Sequence, residues 1–363
     1  MHGRQTALHG VFLPISSYIM LHRIAIVGSS GYTGEELLSL CLHHSEMEVT
    51  AITSRQYQGQ ALRDALGVKG KYADLTFEDL DVSSLKNRAD VFFLALPHGV
   101  ASGYAIPLLE AGKKVIDLSA DFRLKNSAHY REYYRTDHPA PSLLEKAVYG
   151  FPERYRKELR GANLIACPGC YPTSIFLSLV PLLEAGLIEC EQIIINSLSG
   201  ISGAGKRVEL AYLFAESDGN IRAYNIPTHR HLPEIEQELS FAAGKPVQVS
   251  FMPHMAPMKR GMHTTISAPF CSTSLDEVAK VYQTWYEKNP FVRVLTNDLP
   301  QTRRVIHTNN AEIAYRHDAR TGRLILLSAI DNLGKGAAGQ AVQAFNLCMG
   351  LNEQTGLTSW ETK

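Results

Sequence analysis

A short apolar run, Ile24-Ala-Ile-Val27, passes directly into Gly28-Ser-Ser-Gly-Tyr-Thr-Gly34 and then into a helical pattern with Leu37, Leu38 and Cys41 on one face. This feature constrains the fold more than any other. A buried strand, a glycine turn and a helix form the opening half of a βαβ unit, in which glycines permit the tight turn and the close approach of a ligand's pyrophosphate to the helix N-terminus. The spacing is G-x-x-G-x-x-G, so the strand–loop–helix context carries the nucleotide reading.

Further apolar runs at Val49–Thr53, Val91–Leu96 and Val115–Leu118 alternate with helical patterns, one of them near residues 101–111. Continuous apolar strands of this kind belong to a parallel sheet covered on both faces. After about Cys167 the texture changes. Gln192–Leu198, Val247–Met252, Met262–Ala268, Phe291–Leu295 and Arg323–Ile330 are strand-like, several with period-two alternation. Ser274-Leu-Asp-Glu277 has the form of a capping box opening an amphipathic helix. The expected fold is therefore α/β: a Rossmann-type parallel sheet domain plus an α+β substrate and dimerisation domain with a mixed or antiparallel sheet. The expected division is a loose tail over 1–20, a nucleotide domain over 21–167 and 332–363, and a catalytic and oligomerisation domain over 168–331. A final helix, Ala337–Met349, is expected to return to the first domain.

With 363 residues the chain has length for two cores, and 36 basic against 36 acidic residues leave no net charge to draw nucleic acid or an acidic membrane. No apolar run approaches the roughly 20 residues that span a bilayer. Six sparse cysteines do not form a disulfide framework, and the apolar stretch Ala7–Leu21 is interrupted by His9, Pro14 and Ser16. A cytoplasmic location is expected, with no membrane and no nucleic-acid partner.

The second strand ends Thr53-Ser54-Arg55. An NAD site would want an acid there for the ribose hydroxyls; a hydroxyl and a guanidinium instead suit a 2′-phosphate, so NADP(H) is the expected cofactor.

Cys167-Pro-Gly-Cys170-Tyr-Pro-Thr-Ser174 precedes the apolar helical run Ile175–Leu183. It could be a redox pair, two zinc ligands completed by His229 and His231, or a single nucleophile at Cys170 with Cys167 as packing. In the third reading the helix N-terminus lowers the thiol pKa, making Cys170 the fastest of the six to alkylate. Thr228-His-Arg-His-Leu-Pro-Glu-Ile235 puts two histidines in one loop, groups able to move a proton near neutral pH.

Six segments occur in order: Gly28–Gly34, Asp117-Leu-Ser-Ala-Asp-Phe-Arg123, Cys167–Thr173, Gly200-Ile-Ser-Gly-Ala-Gly205, His229–Ile235 and Asp331-Asn-Leu-Gly-Lys-Gly-Ala-Ala-Gly339. Together they resemble the N-acetyl-γ-glutamyl-phosphate reductases of arginine biosynthesis, relatives of aspartate-semialdehyde dehydrogenase. The resemblance spans roughly residues 21–355. Two positions depart from it: Cys167 stands where Asn is common, and Ser174 where Gly or Ala is common.

The resemblance implies reduction of an acyl phosphate through a Cys170 thioester. His231 would be the general acid/base, with Glu234 orienting it or the substrate, and His229 would line the pocket. Arg123 would bind phosphate or carboxylate, or else form a hinge salt bridge with Asp121 or Glu132. Ser199 and Ser202 would line the substrate pocket, and Arg260 would be an anion contact. Gly28, Ser30, Gly31, Tyr32, Thr33, Gly34, Ser54, Arg55, Asn332 and Gly334 would hold NADP(H). No metal is implied, and a homodimer or homotetramer is. Alternatives are a related reductase acting on a carrier-linked aminoadipate or an aspartyl phosphate, and a non-catalytic nucleotide-binding protein.

Overall fold

A computed structural model describes residues 21–79, 81–206 and 208–358. The expected tail, 1–20, lies outside the described residues.

The first sheet has seven strands: β1 (His22–Val27), β2 (Met47–Thr53), β3 (Phe77–Glu78), β4 (Val91–Leu94), β5 (Lys114–Asp117), β6 (Val148–Tyr149) and β7 (Leu164–Ala166). Their order is β3-β2-β1-β4-β5-β7-β6, and every pairing is parallel. Alternate residues enter two separate cores. Ile24, Ile26, Phe93 and Ile165 face one, while Ala25, Val27, Phe92, Leu94 and Ala166 face the other. Burial on both faces is why these strands read as unbroken apolar runs.

The second sheet is β12-β13-β14-β11-β8-β10-β9. Its strands are β8 (Ile193–Gly200), β9 (Arg222–Ala223), β10 (Val249–Ala256), β11 (Met262–Pro269), β12 (Val292–Leu295), β13 (Ala311–Asp318) and β14 (Arg323–Ile330). It is mixed: β8 and β10 are parallel, as are β12 and β13, and the other pairs are antiparallel. The helix Leu232–Ala243 lies in the connection from β8 to β10, the kind of crossover a parallel pair requires. The helices Cys170–Glu184, Leu232–Ala243 and Leu275–Tyr286 share one core with this sheet.

Three local expectations need correction. The first helix runs Tyr32–Leu42, starting inside the glycine segment because Gly31 serves as its N-cap. Ser274 does cap the helix Leu275–Tyr286 by position, but its side chain makes no capping hydrogen bond, so the box is not closed. The last helix is Gly339–Cys348, preceded by a π-turn over Gly334–Ala338. It packs against Ile24, Ile26 and Phe93 of the first sheet, through Ala341, Val342 and Phe345.

Candidate active site

Strand order reverses between β1 and β4, and ligands of open parallel sheets bind where such strands end. A cleft of about 260 Å³ opens there. Its wall takes Gly31–Gly34 after β1, Ala95, Leu96 and His98 after β4, Leu118 and Arg123 after β5, and Cys167–Cys170 after β7. From the second sheet come Ser202–Gly205, Arg230, His231 and Asn332. A larger cavity, about 870 Å³ beside Leu38, Met47 and Tyr72, contains neither Cys170 nor His231, so volume does not select the site.

The three glycines of the loop have separate duties. Gly28 has φ +88°, and a Cβ there would meet the Ala95 carbonyl at 2.6 Å. A Cβ on Gly34 would meet the Gly28 carbonyl at 2.5 Å, so this glycine packs helix against strand. Among the described residues Gly31 has nothing within 4 Å of its missing Cβ and no side chain caps the helix it begins, leaving open space at a helix N-terminus. That space fits a pyrophosphate. Gly28 and Ser30 are not on the cleft wall. Ser54 is turned into the protein: it is buried, and its hydroxyl accepts from the Gln56 and Tyr57 amides. Such a local turn competes with any ligand contact. Arg55 is exposed at the end of β2.

At the other end, Cys170 is the first residue of the 15-residue helix Cys170–Glu184. A Cβ on Gly336 would lie 2.9 Å from Cys170 Cβ, so only glycine lets the π-turn approach the thiol this closely. Cys167 is buried, and its carbonyl accepts from Arg123 Nε at 2.7 Å. A Cβ on Gly169 would come within 2.5 Å of His231 Nε2, which puts the imidazole against the residue preceding the thiol. Arg123 Nη1 approaches Nε2 at 3.5 Å. A guanidinium only donates, so Nε2 is the lone-pair nitrogen and the proton of the neutral ring belongs on Nδ1, which is buried and among the described residues has no hydrogen-bond partner. His229 is not on the cleft wall; its Nδ1 accepts from the His231 amide at 3.1 Å and fixes the loop.

Beneath these groups Glu234 is buried and accepts three bonds: from Arg123 Nη1 at 3.2 Å, Tyr149 Oη at 2.6 Å and the Gly169 amide at 2.9 Å. Arg123 is thus held by protein at each nitrogen, with Nη2 on the Leu118 carbonyl. Its salt bridge goes to Glu234, whereas Asp121 caps the turn after β4 through the Gly99 and Ser102 amides.

Burial pushes the Cys170 thiol up to about 11, against the opposing pull of the Tyr171 amide, Arg123 and Arg230. Burial, then His229, Arg123 and Arg230, hold His231 well below its ordinary value. The resting pair is a neutral thiol and a neutral imidazole. The expected lowering of the Cys170 pKa by the helix N-terminus is outweighed here by desolvation, which raises it. A neutral imidazole is the form that can accept the thiol's proton.

The semialdehyde dehydrogenase NAD binding domain profile matches residues 23–162, and the semialdehyde dehydrogenase dimerisation domain profile matches residues 170–332. The N-acetyl-γ-glutamyl-phosphate reductase of Desulforudis audaxviator is 49% identical over 337 residues, 92% of this chain and 97% of that one. The enzyme of the same name from Akkermansia muciniphila is 47% identical over 92% of this chain and 98% of its own. The chain belongs to the N-acetyl-γ-glutamyl-phosphate reductase family. Aspartate semialdehyde dehydrogenase II of Vibrio cholerae has a similar fold, with TM-score 0.68 at 18% identity over 90% of this chain and 98% of that one. The Candida albicans enzyme solved with NADP gives 0.68 at 17%, with the same coverage.

Three other residues expected at this reductase-family site have different surroundings. Arg260 is filled by two carboxylates, Asp331 through Nε and Glu36 through both Nη atoms, and ties the first helix to the second sheet. Gly334 faces the Thr308 carbonyl, 2.3 Å from where its Cβ would be, and is a packing glycine off the cleft wall. Ser199 is buried and bonded to the Gly200 carbonyl. Asn332 does line the cleft and bridges Ser202 Oγ and the Gly261 amide. Ser174, at one of the departing positions, gives its hydroxyl a buried partner in Thr264 Oγ1 at 2.7 Å.

Sequence reasoning missed Arg230, His98, Gly169, Gly336 and Tyr149. Arg230 stood between two histidines already singled out and Gly336 inside a quoted segment; nothing in the sequence marks Tyr149.

The raised thiol has a measurable consequence. In the ligand-free protein, Cys170 alkylation by iodoacetamide should rise about tenfold per pH unit from neutrality upward, because the thiolate fraction does so below the pKa. A profile that flattens below about pH 8, the ordinary thiol range, would contradict the neutral resting pair.

Proposed function

We propose that this chain reduces N-acetyl-γ-glutamyl phosphate to N-acetylglutamate 5-semialdehyde and phosphate, using NADPH, as a step of arginine biosynthesis. The observation that carries the reading is one cleft bordered by an open glycine loop at a helix N-terminus and by Cys170 with His231, in a chain 49% identical to a reductase of that name.

Cys170 Sγ attacks the acyl carbon as its proton passes to His231 Nε2. Collapse of the tetrahedral adduct breaks the C–O bond to phosphate and leaves a thioester on Cys170. NADPH, when bound, supplies the hydride that reduces this carbonyl carbon. His231 Nε2, now the protonated partner, gives its proton as the thiohemiacetal forms and takes it back from the hydroxyl. Cys170 then leaves as the aldehyde is released and recovers its proton. Glu234 fixes Gly169 and Arg123 beneath these groups, so it positions the site without entering the chemistry.

Gly31, Tyr32, Thr33 and Gly34 would hold the pyrophosphate, Arg55 the 2′-phosphate, and Asn332 the nicotinamide side of the cleft. Arg55→Ala is expected to weaken NADP(H) about tenfold or more while changing NAD(H) little, the loss of one charge-assisted contact. Kd values for both nucleotides check this; equal losses would remove Arg55 from the 2′-phosphate site.

The nucleotide unit is taken as 21–167 with 332–363, and the second unit, 168–331, as the oligomerisation surface of a homodimer or homotetramer. The dimerisation profile over residues 170–332 supports the latter. No helix among the described residues is long and apolar enough to cross a membrane. We place the enzyme in the cytoplasm on the ground that its relatives are biosynthetic reductases. The deciding assay runs in reverse: NADP⁺ reduction with phosphate and either N-acetylglutamate, N-acetyl-aminoadipate or aspartate semialdehyde. Preference for a semialdehyde other than the first would replace the substrate assignment.

A further inference from the structure

The reactive cleft adjoins a second cavity of about 460 Å³, with which it shares Gly203, Ala204 and Arg230. That volume is in the range of small-molecule sites. None of Gly31–Gly34 borders it, so it is free of the loop that fits the nucleotide. Arg222, Asn225 and Thr228 are in its wall, and its charged groups are two guanidiniums, Arg222 and Arg230, against one carboxylate, Glu209.

The two arginines expected to meet the substrate's anionic groups are already committed. Arg123 is held by Cys167, Glu234 and Leu118, and Arg260 by Asp331 and Glu36. Arg222 instead extends its guanidinium over the Tyr212 ring, 5.2 Å from the centroid, a contact that preorganises the fork without using its donors. Its backbone is fixed by pairing with Met255 of β10. Asn225 is exposed in the chamber with φ +48°, a left-handed conformation, and among the described residues its side-chain amide bonds to no protein group. A carboxamide carries both donors and an acceptor, which complements a secondary amide.

We propose that this chamber binds the amino-acid end of the substrate: Arg222, with Arg230 at the mouth, pairs with the α-carboxylate, and Asn225 reads the N-acyl amide. The acyl carbon then extends past Gly203 and Ala204 toward Cys170. The proposal rests on the reductase reading and adds to it the groups that select an N-acylated α-amino acid over a simple aldehyde.

The test uses the full-length protein and the reverse reaction, with N-acetylglutamate 5-semialdehyde and butanal as alternative aldehydes. Wild type should favour the first strongly. Arg222→Leu should raise its KM about 10- to 100-fold, the loss of a charged hydrogen-bonded contact, and collapse the preference over butanal. Arg222→Lys, which keeps charge but loses the fork, should fall between the two. N-acetylglutamate binding by calorimetry gives a readout independent of turnover, and should weaken in the same order, as it should in Asn225→Ala. Wild-type activity with unchanged KM, preference and N-acetylglutamate affinity in all three variants would overturn the chamber and leave the reductase reading standing. A wild type inactive on N-acetylglutamate 5-semialdehyde would overturn that reading and the chamber with it.

Discussion

Cys170→Ser is expected to lower turnover by at least about 10⁴-fold, the scale on which loss of a covalent nucleophile is felt. Serine keeps the shape of the site but offers a much weaker nucleophile to the acyl carbon. Nucleotide affinity should be retained, since the open space at Gly31 belongs to a different strand end. Cys167→Ala should keep most activity. The Cys167 side chain is buried, and the atom that matters there is its backbone carbonyl, which the substitution preserves for Arg123 Nε. Steady-state rates of the two variants, with nucleotide Kd alongside, separate a nucleophile from a paired-cysteine function. Equal inactivity of both would support a redox or metal pair. Among the described residues no group of three or more His, Cys, Asp or Glu is arranged to hold a metal ion.

The largest effect on stability is expected away from the chemistry. Lys335, in the π-turn that presses Gly336 against Cys170, donates to Glu153 Oε1 and to Gln343 Oε1, both at 2.7 Å. The side chains of Lys335 and Glu153 are fully buried. Desolvation pulls the Lys335 pKa down, and Glu153 is the main group opposing it. Lys335→Met would strand the carboxylate in the interior, where among the described residues only Gln343 Nε2 would still reach it, at 3.4 Å. The expected cost is about 3–5 kcal/mol, against near neutrality when both partners become apolar together. Urea unfolding of Lys335→Met, Glu153→Leu and the double variant measures this. The double variant should be more stable than Lys335→Met alone. A loss under about 1 kcal/mol in Lys335→Met would show that the pair is not what holds the turn.

Much of the fold was legible because it is dictated locally. Gly34 is required by a backbone contact with Gly28 a few residues earlier, Gly28 itself has a positive φ, and the strands of the first sheet are apolar throughout because both faces are covered. The cleft residues Cys170 and His231 announced themselves through a helix start and a proline-closed loop. The partners did not. Glu234 meets Arg123 from 111 residues further along and Tyr149 from 85, and Lys335 finds Glu153 across 182. No periodicity encodes such pairings; they exist only once two sheets are docked. Ser54 and Arg260 misled for the same reason. A hydroxyl or guanidinium at a ligand-facing position in the sequence can be taken by the protein first, Ser54 by the next turn and Arg260 by Glu36 and Asp331. For the Cys170 thiol, a helix terminus is visible in sequence and the desolvation that raises its pKa is not.

The most direct measurement omits phosphate. Mixing the protein with N-acetylglutamate 5-semialdehyde and NADP⁺ should then oxidise the thiohemiacetal once and stop at the thioester. The expected result is a burst of reduced nucleotide equal to the active sites, with intact and peptide mass spectrometry finding one N-acetylglutamyl group on Cys170, and with added phosphate restoring steady turnover. Oxidation without a burst, or an acyl group on any residue other than Cys170, would contradict the account.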